Sequence, residues 1–222
     1  MTNPLTTKVA AVSRKAGLAA LLSGAAAAAM IGFAGTANAA PAPHNAATPG
    51  MHGNPTAAAA FWAEQQGDYD CGEMSVADVI GQITGHAPTE QQITATAGSI
   101  PSTAHSGPIY TPNGDTSNVD LPVLLSHYGI QSTSGSSNLA ALEQALDQGH
   151  KVIVGVNDHT IWNDSGNRSQ ENHFVVVTGI DTNAGVVHLN DSGVKAGRNE
   201  QVSLATFQQA WGTSSNFAII TK

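Results

Sequence analysis

Between Cys71 and Leu146 the apolar residues fall at helical spacing, and from Val152 onward they gather into short β-branched runs. That change of period limits the fold more than any other feature. It predicts an α+β chain in which helices come first and an antiparallel sheet follows. Met74, Val76, Ala77, Val79, Ile80 and Ile83 give a first helix that Gly85 stops, and Thr89 with Gln92 forms a capping box for a second. Leu121 to Tyr128 gives a third helix ended by Gly129, and Leu139 to Leu146 a fourth between Asn138 and Gly149. Residues 98–118 are rich in Gly, Pro, Ser, Thr and Asn, which predicts a long loop of the kind often kept for function. Strands are expected at Lys151–Val156, Phe174–Ile180 and Val186–Asn190, with a turn over Asp181–Gly185. Phe207 and Trp211 share a last short helix before a closing strand at Phe217–Thr221.

Residues 1–39 have the pattern of a secretory signal. Lys8, Arg14 and Lys15 precede an Ala-rich apolar stretch, and Ala37-Asn38-Ala39 supplies a small-x-small cleavage pattern. Ser23, Gly24, Gly32 and Gly35 interrupt the apolar stretch, so cleavage is expected rather than a retained membrane span. Ser13-Arg14-Lys15 followed by Leu18 also resembles a twin-arginine export signal with Lys in the second basic place. Residues 40–56 read as a disordered linker carrying His44 and His52 as solvated tail residues, and 57–222 as one domain. The expected location is secreted or in the cell envelope.

Cleavage would leave five basic residues against sixteen acids, a formal charge of −11. No Lys or Arg lies between Ala40 and His150. Nucleic-acid binding needs clustered positive charge, so it is excluded, and an anionic membrane surface is disfavoured. The remaining histidines lack helix-borne metal spacing, so neither a metal nor another cofactor is expected.

Cys71 is the only cysteine. An exported chain with one thiol closes no disulfide within itself, so the thiol is inert, paired with another chain, or free for chemistry. Cys71 opens the first helix, and a helix N-terminus stabilises a thiolate. Gly72 beside it lets a substrate carbonyl approach the backbone. Gln65, six residues upstream, is placed to donate its amide to a developing oxyanion. His173 stands at the mouth of a strand and is the candidate base. If the hairpin pairs residues summing to about 364–368, the end of the neighbouring strand brings Asp191 to His173; a one-residue slip would bring Asn190 instead. Glu64, Asp68, Asp70, Glu73 and Asp78 crowd the cysteine, most of them expected to be solvated.

Gln65-x4-Asp70-Cys71-Gly72, then His173-Phe-Val-Val-Val and Asn190-Asp191, resemble the papain-fold cysteine peptidases of the bacteriocin-processing, peptidase C39-like branch. The resemblance spans roughly 60–222. It implies N-terminal helices carrying the Cys, packed on a C-terminal sheet carrying the His and Asp. It further implies Cys71 as nucleophile, His173 as general base and acid, Asp191 as orienting group and Gln65 as oxyanion donor, with Asp70 and Gly72 beside the substrate. Glu73 stands where the family often has Pro or a small residue. The implied activity is a thiol hydrolase that cuts a peptide or amide bond of a peptide or protein substrate. Two alternatives share the fold: an acyltransferase or cell-wall amidase using the same thiol, and a secreted binding module without turnover.

Overall fold

The computed structural model describes residues 49–222; the signal-like segment 1–39 and residues 40–48, with His44, lie outside them. The second half of the expected linker is folded. Strand β1 (Met51–Gly53) pairs antiparallel with the far end of β4 (His173–Asp181), at Gly179 to Asp181, beyond the point where the neighbouring strand stops. Thr182 N–H donates to Gly50 O at 2.8 Å, and Asn183 Nδ2 donates to Pro49 O at 2.8 Å. His52 is no solvated tail residue: its Nδ1 lies 2.9 Å from Asp147 Oδ2. Three residues are too few to show alternation, and their pairing partner is far away in sequence, so local composition alone reads as linker. Gly53 sits at φ +87°, where a Cβ would come within 2.5 Å of Thr178 O, so only glycine fits.

Helix α1 (Pro55–Ala58) is capped by Asn54 Oδ1 and runs into a 3-10 turn over Ala59–Phe61. Helix α2 (Cys71–Thr84) ends at Gly85, whose φ of 81° lets its N–H close on Gly81 O. Helix α3 (Glu90–Ala97) has the expected box: Gln92 N–H donates to Thr89 Oγ1 at 3.3 Å and Thr89 N–H to Gln92 Oε1 at 2.9 Å. Thr89→Ala is expected to cost about 1 kcal/mol, read as a lower urea midpoint; an unchanged midpoint would show that α3 does not depend on its cap. Helices α4 (Leu121–His127) and α5 (Leu139–Asp147) follow, α5 with the Asn138 cap. The long loop between α3 and α4 is pinned by Asp120, which accepts from Ser102 Oγ and from the N–H and Oγ1 of Thr103.

The sheet is antiparallel, in the order β2 (Ser132–Ser136), β7 (Phe217–Thr221), β3 (Val152–Val156), β4, β5 (Val186–Asn190), β6 (Glu200–Ser203). Side chains alternate between faces. Val152, Val154, Val156, Val175 and Val177 pack with Leu142 and Leu146 of α5 and with Phe207 and Trp211 of α7 (Leu204–Gly212). Ile153, Val176 and Ile219 pack with Met74, Val76 and Ile80 of α2, Ile93 of α3 and Leu121, Leu124 and Leu125 of α4. Each such buried side chain contributes about 1.5–3 kcal/mol of transfer free energy, so α2 is fixed across β4 by its own apolar stripe. That packing sets Cys71 facing the start of β4.

Strands β2 and β6 and the short helix α6 (Asp158–Ile161) are not marked by the sequence pattern. Ser132 to Ser136 is almost wholly polar and largely exposed; it is a strand because β7 offers it an edge. Asn157 caps α6, its Oδ1 accepting from Thr160 N–H at 3.0 Å. Among the described residues, no helix is long and apolar enough to cross a membrane.

Candidate active site

Cys71 is the first residue of α2, partly exposed, and shares one cleft with His173 at the start of β4, near enough for the thiol to act on the imidazole. On the far side of the ring, His173 Nε2 lies 2.7 Å from Asp191 Oδ1. That contact leaves Nδ1 as the ring nitrogen for the thiol.

The register explains how Asp191 arrives there. Val176 pairs with Asn190 and Val177 with Leu189, and the ladder shifts by one toward Gly179 and His188. Extended past its last pair, the ladder sets His173 opposite Gly193, and a Cβ on Gly193 would lie 3.0 Å from His173 Cε1. The chain turns after β5, with Asp191 N–H donating to Gly197 O and Gly193 N–H returning to Asp191 Oδ1 at 2.8 Å. Asn190 faces elsewhere: its Nδ2 donates to Asp78 Oδ2 at 2.7 Å and to Ala58 O at 3.0 Å, tying α1 and α2 to the sheet. The slipped alternative is therefore not the arrangement in the structure.

Two tryptophans hold this corner. Trp162 Nε1 donates to Asp191 Oδ2 at 2.9 Å, and its ring meets His173 edge-on at 5.3 Å. Trp62 Nε1 donates to the Asp191 carbonyl, and Arg198 lies over its ring. Neither tryptophan stands in a local motif. Only contact across a long sequence separation gives either one its role.

Burial opposes a charge on His173, but the Asp191 carboxylate and the bond to it, with Cys71 on the other side, hold its pKa well above the ordinary imidazole value. Burial likewise opposes a charge on Asp191, yet His173 and the bonds from Trp162 and Gly193 hold it below the usual carboxylate range. Both directions describe one charged pair. A thiol, an imidazole and an ionised carboxylate in line can move a proton from sulfur to nitrogen and hold the resulting cation.

The cleft over Cys71 has a volume of about 250 Å³. Its walls come from Tyr69, Gly72, the Asp115–Asn118 stretch of the long loop, and Glu171–Phe174. Gly72 lines it beside Cys71, and a Cβ there would press on Leu121 Cδ2 at 3.0 Å, so packing against α4 also requires glycine. Gln65 is not among the lining residues. Its Oε1 accepts from Ser192 Oγ at 2.8 Å and its Nε2 donates to Gly67 O at 2.8 Å, which leaves one amide proton uncommitted.

Asp70 is corrected from a substrate contact to a buried support. It is 4% exposed, lies off the cleft wall, and has an Oδ1 without a partner. Burial, then the neighbouring Glu90, push its pKa up to about 6. Glu90 Oε1 in turn accepts the N–H groups of Gln66 and Gly67, fastening α3 to the loop that leads into Cys71. Glu73 and Asp78 are also buried rather than solvated, because both point from α2 into the protein. Burial raises their pKa values to about 7 and about 6. The crowd of acids is thus partly uncharged near neutrality.

A family model described as peptidase C39-like matches residues 56–219. An uncharacterized protein of Mycobacterium tuberculosis is 45% identical, with 81% of this chain and 88% of that protein covered. A protein of Mycobacterium bovis matches to the same extent. A chain of known structure from Bacillus anthracis, described as a C39-like peptidase, superposes with a TM-score of 0.59 at 16% identity, covering 78% of this chain and 97% of that one. The peptidase domain of Streptococcus ComA, a bifunctional ABC transporter of a quorum-sensing pathway, superposes at 0.52 with 17% identity, covering 72% and 97%. At these identities the structural likeness speaks for the fold alone, and that fold is papain-like. With the family model covering most of the described residues, the chain belongs to the peptidase C39-like family.

Proposed function

We propose that this protein is an exported thiol hydrolase that cuts a peptide or amide bond. The observation that carries the reading is the line Cys71–His173–Asp191, with Asp191 Oδ1 2.7 Å from His173 Nε2 and both carboxylate oxygens occupied. Cys71 Sγ passes its proton to His173 and attacks the substrate carbonyl. The oxyanion is met by the Cys71 N–H at the helix start, and Gln65 adds its uncommitted amide proton on turning toward the cleft that it does not line in this structure. His173 protonates the departing amine, and the thioester remains. His173 then takes a proton from water, the hydroxide attacks the thioester, and the acid leaves as Cys71 regains its proton.

Export rests on the sequence pattern of residues 1–39. The cleft wall carries Asp115 and Glu171 and no Lys or Arg, so peptides with a basic residue near the cut are the favoured class. Burial weakens one ground for a binding module: Glu73, with a pKa raised to about 7, is partly neutral near neutrality and to that extent does not oppose a thiolate.

The test is peptide-library cleavage read by mass spectrometry, with wild type against Cys71→Ala. New termini from wild type alone, enriched in neighbouring Lys and Arg, are expected. Identical products from the alanine variant, or none from wild type, would overturn the reading. Added amine nucleophile separates hydrolysis from acyl transfer by the mass of the product.

A further inference from the structure

Glu200 opens β6 opposite Leu189, two residues before Asp191 on the paired strand, and its carboxyl reaches the Asp191 side chain. Its Oε2 is buried without a partner. Asp191 is fully engaged on its other sides: Oδ1 accepts from His173 Nε2 and Gly193 N–H, and Oδ2 from Trp162 Nε1. Two carboxyl groups in buried contact do not both ionise. Asp191 is the one held ionised, because the imidazole faces it directly. The proton therefore belongs on Glu200.

We propose that Glu200 is a positioning residue of this site, a neutral acid that donates its O–H to the Asp191 carboxylate and through it fixes the orientation of His173. Glu200 touches neither the cleft nor the thiol, so it acts through Asp191 alone. The inference rests on the Cys71–His173–Asp191 reading above. Burial and the charge and hydrogen bond of Asp191 push its pKa up to about 7, with His173 acting weakly the other way. Asp191 and His173 are the charged groups acting on it. Of its neighbours in sequence and strand, Arg198 is drawn over Trp62 at 5.2 Å, and His188 Nδ1 is bonded to Asn199 Oδ1 at 2.8 Å. Above pH 7 the donor becomes a second carboxylate beside Asp191, and the support turns into repulsion.

The chain has one thiol, so iodoacetamide alkylation of the full-length protein reads Cys71 directly. At pH 6, Glu200→Ala is expected to alkylate about fivefold more slowly than wild type, and Glu200→Gln, which keeps a neutral donor, to recover most of that loss. The ratio of wild-type to Glu200→Gln rate is expected to fall about fivefold between pH 6 and pH 8, as wild type alone loses its donor. Superimposable profiles for all three proteins would overturn the proposal, as would a Glu200→Gln as slow as the alanine variant at equal thermal midpoint. If Glu200→Ala does not fold, the near-isosteric Gln profile decides alone. His173→Ala separates the two readings: wild-type alkylation in that variant sinks the Cys–His pair itself, whereas a slow His173→Ala beside three overlapping profiles sinks only the role of Glu200.

Discussion

Turnover in His173→Ala is expected to fall by about a thousandfold or more, and alkylation of Cys71 to become steeply pH-dependent. Proton transfer by a positioned imidazole contributes about 10²–10⁴-fold, and here one ring serves both the attack and the departure of the amine. A free thiol ionises near 8.5, so at pH 5.5 only about one in a thousand carries the charge that reacts. A thiolate formed by passing its proton to an imidazole is intrinsically less nucleophilic than a free one, which offsets part of the gain. The net expectation at pH 5.5 is alkylation at least about tenfold slower in His173→Ala than in wild type. Above pH 8.5 the two curves converge. The shape is the stronger readout: a wild-type profile that does not rise between pH 6 and 8 and falls there by no more than about fivefold, against one rising about tenfold per pH unit. Parallel curves of equal slope would mean that the imidazole does not act on the thiol, whatever their distance.

The charges around this pair are arranged on one side. Asp191 receives bonds from an imidazole, an indole and a backbone N–H, so it is fixed in place before any substrate arrives. The thiol end is open to the cleft and bordered by a polar loop. A rigid acid–base pair with an open nucleophile suits a bond that is brought to the thiol by the bound chain.

What the sequence made legible follows from how local each signal is. The boundaries of α2 and α3 came from apolar spacing, Gly85 and the Thr89–Gln92 box, all carried within one turn or two of chain. Cys71, His173 and Asp191 stood out as residue types in order, and the pair sums of the hairpin brought the last two together. The rest needed distant partners. Strand β1 exists because β4 outruns β3, β2 because β7 needs a neighbour, and neither has an apolar alternation of its own. Trp162 and Glu200 reach Asp191 across contacts no local pattern records. Asp70, Glu73 and Asp78 show the same limit in reverse: acids read as surface charge are turned inward by the helix that carries the nucleophile.

That inward turn makes the fold less stable as pH rises. Thermal unfolding is expected about 10 °C lower at pH 8 than at pH 5. Glu73 ionises near 4.5 when unfolded and about 7 when folded, and Asp78 near 3.8 and about 6. A carboxyl whose folded pKa is raised keeps its proton in the fold while the unfolded chain has lost it, so stability falls with pH across each window and levels off above it. From pH 5 to 8 the two groups together cost about 4 kcal/mol, at about 1.4 kcal/mol per unit crossed. A chain of this size loses about 2–4 °C for each of those kcal/mol. His173, with a raised pKa, gives stability that is present below the ordinary imidazole value and lost as pH rises through its folded value, which adds to the same trend. Asp191, with a lowered pKa, acts only in acid, where its contribution disappears as pH falls through its folded value. Glu73→Gln isolates one share. The amide oxygen still accepts from Thr116 Oγ1, now 2.6 Å from Glu73 Oε1, while the buried charge is gone. The variant is expected to unfold later than wild type at pH 8, by about 3 kcal/mol, and to show little gain at pH 4, where the wild-type acid is mostly neutral in both states. A wild-type midpoint that climbs from pH 5 to pH 8, or a Glu73→Gln less stable than wild type at pH 8, would show that the carboxyl beside the nucleophile is not strained by burial.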